Sequence, residues 1–117
     1  MMNLTPLETQ LLQMLLHGDS EELIVLREQA ALVQVSSREM TGVGFFTNFA
    51  VPPDAPHIAG RPTLRFGDVN GTADNVKHGV GFLLHVTDGA LSMLEGYTYD
   101  EPWPDEIRGL VLTYSSS

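Results

Sequence analysis

The stretch Val80-Gly81-Phe82-Leu83-Leu84-His85-Val86-Thr87-Asp88-Gly89-Ala90-Leu91-Ser92-Met93-Leu94-Glu95-Gly96-Tyr97 decides the fold. Two alternating runs flank Asp88-Gly89, a dipeptide that tolerates positive φ at both positions and so marks a type I′ hairpin turn. With a two-residue loop, Thr87 faces Ala90. The register then runs Val86 with Leu91, Leu84 with Met93, Phe82 with Glu95 and Val80 with Tyr97, all on one face. The other face carries His85 with Ser92, Leu83 with Leu94 and Gly81 with Gly96. Leu83 and Leu94 imply that this second face is at least partly covered, by a helix or by another subunit. Gly81 beside Gly96 leaves a shallow trough that an aromatic ring could fill.

Upstream of the hairpin, Thr63 to Val69 reads as a strand that ends at the tight-turn dipeptide Asn70-Gly71. From Met40 the period is also two, with Val43, Phe45, Phe49 and Val51 on one parity, so a strand runs to the Val51-Pro52-Pro53 stop. A connection of about a dozen residues leads on to Pro62, long enough to be functional or mobile. The N-terminal third has helical spacing instead. Thr5-Pro6-Leu7-Glu8 combines a capping residue, a first-position proline and a capping-box glutamate. Leu7, Leu11, Met14 and Leu15 form one stripe, and Gly18 is the stop. Asp19 or Ser20 caps a second helix with Glu21 and Glu22 in its first turn, and Leu23, Leu26 or Ile24, Ala30 and Ala31 on its apolar face. Pro102 and Pro104 exclude helix and central strand, which makes 97–106 a rigid loop before a closing strand from Gly109 to Tyr114. Ser115-Ser116-Ser117 reads as a frayed end. The expectation is one α+β domain over residues 1–117, an N-terminal helical hairpin followed by an antiparallel sheet of about five strands.

The chain holds 15 Asp and Glu against 6 Lys and Arg, a net charge of −9, with no Cys. That sign opposes binding to a nucleic-acid backbone. The missing thiols exclude disulfides, thiolate nucleophiles and Cys-ligated metals. The apolar run Leu11 to Leu16 has no basic residue before it and is interrupted by Gln13, so it is neither a secretory leader nor a membrane span. A cytoplasmic location is expected.

Glu95 is the most interesting single residue. Opposite Phe82 on an apolar face, its carboxyl would be tuned upward by desolvation and suited to general acid or base work; alternatively it caps a backbone group or pairs with an Arg such as Arg65 at the sheet rim. His78, just before a strand and near two glycines, is the one histidine considered as a base. His78 and His85 point to opposite faces, His17 suits a helix C-terminus and His57 lies in the proline-rich loop. No HxH or HExxH spacing announces a metal, and no cofactor is expected. Gly42-x-Gly44 and Gly79-x-Gly81 lack the following features of a phosphate loop, and no Gly-x-Ser-x-Gly elbow occurs. The remaining signal is the acidic-aromatic loop. Tyr97, Tyr99 and Trp103 are interleaved with Asp100, Glu101, Asp105 and Glu106, and no Lys or Arg lies between His78 and Ile107. Such a loop can present a contact surface to a basic protein, or Trp103 can fold back as a lid on the core.

The segments Gly79-Val80-Gly81-Phe82-Leu83-Leu84, Asp88-Gly89 and Leu94-Glu95-Gly96-Tyr97-Thr98-Tyr99-Asp100-Glu101-Pro102-Trp103-Pro104 together resemble the signature of a family of small bacterial α+β proteins. The similarity reaches back to Thr41-Gly42-Val43-Gly44-Phe45-Phe46-Thr47. This resemblance implies no catalytic residue. Size and charge are also similar to those of acidic immunity proteins that neutralise bacterial toxins. The functional expectation is a binding or structural module, a homodimer through its second apolar face, with Tyr97, Tyr99, Asp100, Glu101 and Trp103 as contact residues. The alternatives are an enzyme or ligand-binding protein using Glu95, His78 and Tyr97 around the glycine trough, and a toxin-neutralising protein with one basic partner.

Overall fold

The computed structural model describes residues 2–114; the serine run 115–117 lies outside them. Two helices, α1 (Pro6–Leu15) and α2 (Glu21–Ala30), precede six strands: β1 (Gln34–Met40), β2 (Gly44–Ala50), β3 (Leu64–Ala73), β4 (Val76–Thr87), β5 (Ala90–Thr98) and β6 (Val111–Tyr114). The strands form one antiparallel sheet in the order β1-β2-β5-β4-β3-β6. The architecture is α+β, with six strands rather than five. The extra one is β1, in which Val35 alone is buried while the other side chains are polar or exposed, so alternation is too weak to announce it.

Both helices start as their sequences dictate. The Thr5 hydroxyl accepts from the Glu8 amide and the Glu8 carboxylate accepts from the Thr5 amide, a complete capping box with Pro6 at the first helical position. Ser20, rather than Asp19, caps α2 through the Leu23 amide. The pair lies on one face of the sheet and buries Leu11, Leu12, Leu15, Leu16 and Leu26 against Val35, Val69, Val80, Phe82, Leu84, Val86 and Leu94. Gln29 ties α2 down. Its amide nitrogen donates to the carbonyls of Pro56 and Gly89, and its oxygen accepts from the Leu91 amide, so a fully buried polar side chain is satisfied three times.

The hairpin turn is the expected one. Asp88 and Gly89 have φ of 53° and 74°, and Thr87 faces Ala90. The register beyond Val86–Leu91 is not. A β-bulge at Ser92 shifts β5 by one residue, so His85 pairs with Met93, Leu84 with Leu94, Leu83 with Glu95, Phe82 with Gly96, Gly81 with Tyr97 and Val80 with Thr98. Because side chains alternate, the shift sends Leu94 into the core and Glu95 to the face away from the helices. Leu83 and Leu94 therefore do not share a face, and Gly81 and Gly96 form no common trough. Tyr97 covers Gly81 on the open face, and the Phe45 ring covers Gly96 on the helix face.

Two further expectations are corrected. Asn70-Gly71 lies inside β3, and the chain reverses at Asp74-Asn75 instead. The strand expected from Met40 is interrupted at Thr41-Gly42-Val43, which turns β1 into β2; Gly42 has φ +86°. No helix among the described residues is long and apolar enough to cross a membrane.

Candidate functional site

The β1–β2 turn and the segment after β5 meet at one end of the sheet. The Thr98 amide and hydroxyl both donate to the Val43 carbonyl, and the Trp103 amide donates to the Gly42 carbonyl at 2.9 Å. The Thr98 hydroxyl also reaches the Glu101 carbonyl. Glu101 is the principal anchor, since its two carboxylate oxygens accept from the Lys77 amide at 2.9 Å and the His78 amide at 2.8 Å. These two backbone donors, Lys77 first, hold its carboxyl below the usual range. Further along, the Asn75 side chain bonds the Glu106 carbonyl and the Arg108 amide. A loop with two prolines is thus pinned along its length.

Within this frame the expected contact residues separate. Tyr99 and Asp100 are exposed, Tyr99 at 42% and Asp100 in the left-handed region at φ +57°. Tyr97 is half-buried over Gly81 and meets Tyr99 edge to face at 5.5 Å. Burial raises its phenol above the ordinary value, and the hydrogen bond to Tyr99 and the charge of Glu95 add to the rise. Trp103 folds back instead, edge to face with Phe45 at 5.3 Å and packed on the core. Sequence reasoning missed the two exposed apolar residues beside the loop, Met40 at 68% and Val43 at 54%. Val43 carried strand parity, so nothing marked it as a turn residue.

On its other flank the loop faces α1 across a cleft of about 280 Å3, lined by Leu7, Met40, Phe45, Trp103, Ile107 and Asp105. The cleft also reaches Glu8, Arg38 and Thr47. The Arg38 guanidinium grips Glu8 with two nitrogens, at 2.9 and 2.8 Å, and the Thr47 hydroxyl donates to it at 2.8 Å. Glu8 is only 4% exposed. Burial alone would raise its carboxyl, but the Arg38, Thr5 and Thr47 donors outweigh that and hold it below the usual range. The capping pattern identified Glu8, but its partners lie on β1 and β2, out of reach of any local motif.

The face of the sheet away from the helices carries Phe46, Glu95 and Leu83 in one cross-strand row and Asn48, Met93, His85 and Arg65 in the next. Glu95 accepts or shares a 3.3 Å contact with the His85 imidazole rather than pairing with Arg65. His78 is exposed and lines a separate shallow groove with Lys77, Thr72 and Tyr99, so the structure does not bring Glu95 and His78 together. Among the described residues no three His, Asp or Glu side chains converge as a metal site requires. Comparison of the chain with protein-family models, curated proteins and solved structures found no match.

Proposed function

We propose that this chain is a small cytoplasmic, non-enzymatic binding module whose acidic-aromatic segment, residues 97–106, is the contact surface for a basic protein; its first two residues end β5 rather than belonging to the expected loop. The supporting observation is the pinning of that loop by Glu101 and the Gly42 and Val43 carbonyls, which leaves Tyr99, Asp100 and Val43 exposed on a rigid frame. A preorganised aromatic and acidic patch loses little entropy on binding, and its charge attracts a cationic partner. The test is affinity capture from the native host with the wild-type chain and with a Tyr99→Ala/Asp100→Lys variant. Capture of one basic protein, lost in the variant and weakened by salt while thermal stability holds, supports the reading. Capture unchanged by the variant overturns it.

A second reading is self-association through the open sheet face, supported by Phe46, Leu83, Met93 and Tyr97, which are half-buried there with no helix of the described residues over them. Light scattering at micromolar concentration distinguishes the two, and a strictly monomeric chain removes the homodimer.

A further inference from the structure

We propose that the cleft between α1 and the 103–107 loop is an anchor site that takes one apolar side chain of the partner, set between cationic residues. This rests on the binding reading above and names what the partner must present. The cleft is continuous with the contact loop, because Trp103, Asp105 and Ile107 come from the same pinned segment. Its volume of about 280 Å3 is ample for one apolar side chain.

The polar floor of the cleft points to an apolar occupant. A carboxylate offers about four acceptor sites. In Glu8 one oxygen accepts from the Thr5 amide and Arg38, and the other accepts from Arg38 and Thr47. The Glu8 carboxylate is saturated, so an apolar group seated above it strands neither of its oxygens. Around it Leu7, Phe45, Trp103 and Ile107 are only partly buried and Met40 is 68% exposed. An inserted side chain would complete their burial.

Charge sets the flanking residues. Of the ionisable side chains lining the cleft, Glu8 and Arg38 cancel, and exposed Asp105 leaves a net −1 at the rim. Asp100, Glu101 and Glu106 on the same segment carry the same sign. Lys or Arg beside the apolar residue would meet Asp105 in the net negative field of this segment, whereas an acidic segment would be repelled.

The chain has one Trp, and it lines the cleft, so its emission reports occupancy directly. The probes are acetyl-Lys-Arg-Leu-Arg-Lys-amide, the same peptide with Ser at its centre, and acetyl-Glu-Glu-Leu-Glu-Glu-amide. The proposal expects the Leu peptide to shift Trp103 emission and to bind about tenfold tighter than the Ser peptide, the scale set by burying one such side chain. Met40→Lys, at an exposed position, is expected to abolish that tenfold difference, and the acidic peptide is expected not to bind. Equal binding of the Leu and Ser peptides overturns the anchor while leaving the contact-surface reading standing. Binding of the acidic peptide as tightly as the basic one overturns the charge assignment. If no basic peptide binds the chain by any amide chemical shift, both readings fall.

Discussion

The Glu8 carboxylate, in the first turn of α1, accepts a 2.8 Å hydrogen bond from the Thr47 hydroxyl in the middle of β2. A residue that begins a helix thereby also fastens it to the sheet, with Arg38 closing the third side. Thr47→Val keeps the shape and removes one donor to a charged acceptor, with an expected loss of about 1.5–3 kcal/mol in urea unfolding. Glu8→Gln is expected to cost about as much or more, because Arg38 then loses its counter-charge. The folded Glu8 carboxyl binds its proton less tightly than the usual value of 4.5. Its contribution is therefore complete above that value and is lost as pH falls through the lower, folded one. Stability should fall less steeply with acid in Glu8→Gln than in the wild type, and parallel acid limbs would contradict this.

The two covered glycines should respond unequally to alanine. A Cβ at Gly81 would lie 2.5 Å from the end of the half-buried Tyr97 ring, which can swing toward solvent. At Gly96 it would strike the Phe45 ring, itself held by Trp103. Gly96→Ala is expected to lose about 1–3 kcal/mol by overpacking. Gly81→Ala is expected to lose less, since restored strand propensity offsets part of the clash by roughly 0.5–1 kcal/mol. Chemical denaturation of both variants measures the order, and a reversed order would show that Phe45 is the more mobile ring.

Gln29→Ala removes three hydrogen bonds at a site with no exposure and leaves the Leu91 amide without its acceptor. A loss of about 2–4 kcal/mol is expected, at the upper end for a single substitution. Hydrogen exchange adds a local readout. The hydrogen-bonded amides of Ile58, Arg61 and Gly89 should lose protection together, and a change confined to α2 would argue that Gln29 is not the common tie.

Glu101 gives the contact loop its own acid response. Its carboxyl is lowered by the Lys77 and His78 amides, so the loop stays ordered above the ordinary carboxylate value of 4.5 and loosens as pH falls through the lower one. Trp103 emission should move to longer wavelength over that range before the far-UV circular dichroism changes. In Glu101→Ala the emission should already be shifted at neutral pH and lack that early step. Identical acid titrations in the two proteins would remove Glu101 as the anchor.

Legibility in the sequence followed the range of the interactions. The capping box at Thr5 and Glu8 and the turn at Asp88-Gly89 are local patterns, and both stand in the structure as read. The bulge at Ser92 leaves no mark in the alternation, since one inserted residue exchanges inside for outside with equally acceptable side chains. That single residue moved Glu95 off the core face and brought Leu94 onto it. Asn70-Gly71 has the composition of a turn, yet Asn70 and Gly71 pair with both β4 and β6, and strand pairing overrides local preference. The aromatic and acidic loop was visible as composition. Its division into exposed Tyr99 and Asp100, anchoring Glu101 and inward Trp103 depends on partners from β2 and β4 that spacing does not encode.

The pairing of β2 with β5, rather than with β3, bears on how the molecule is made on the ribosome. When β1 and β2 emerge, the edge that β2 will offer to β5 has no neighbour, because Thr47 and Phe45 await Leu94 and Gly96 far along the chain. The growing polypeptide must hold an unsealed strand with two phenylalanines on its inner side until β5 has been made. Closure across so long a stretch of chain ties commitment to the native state to the arrival of β5.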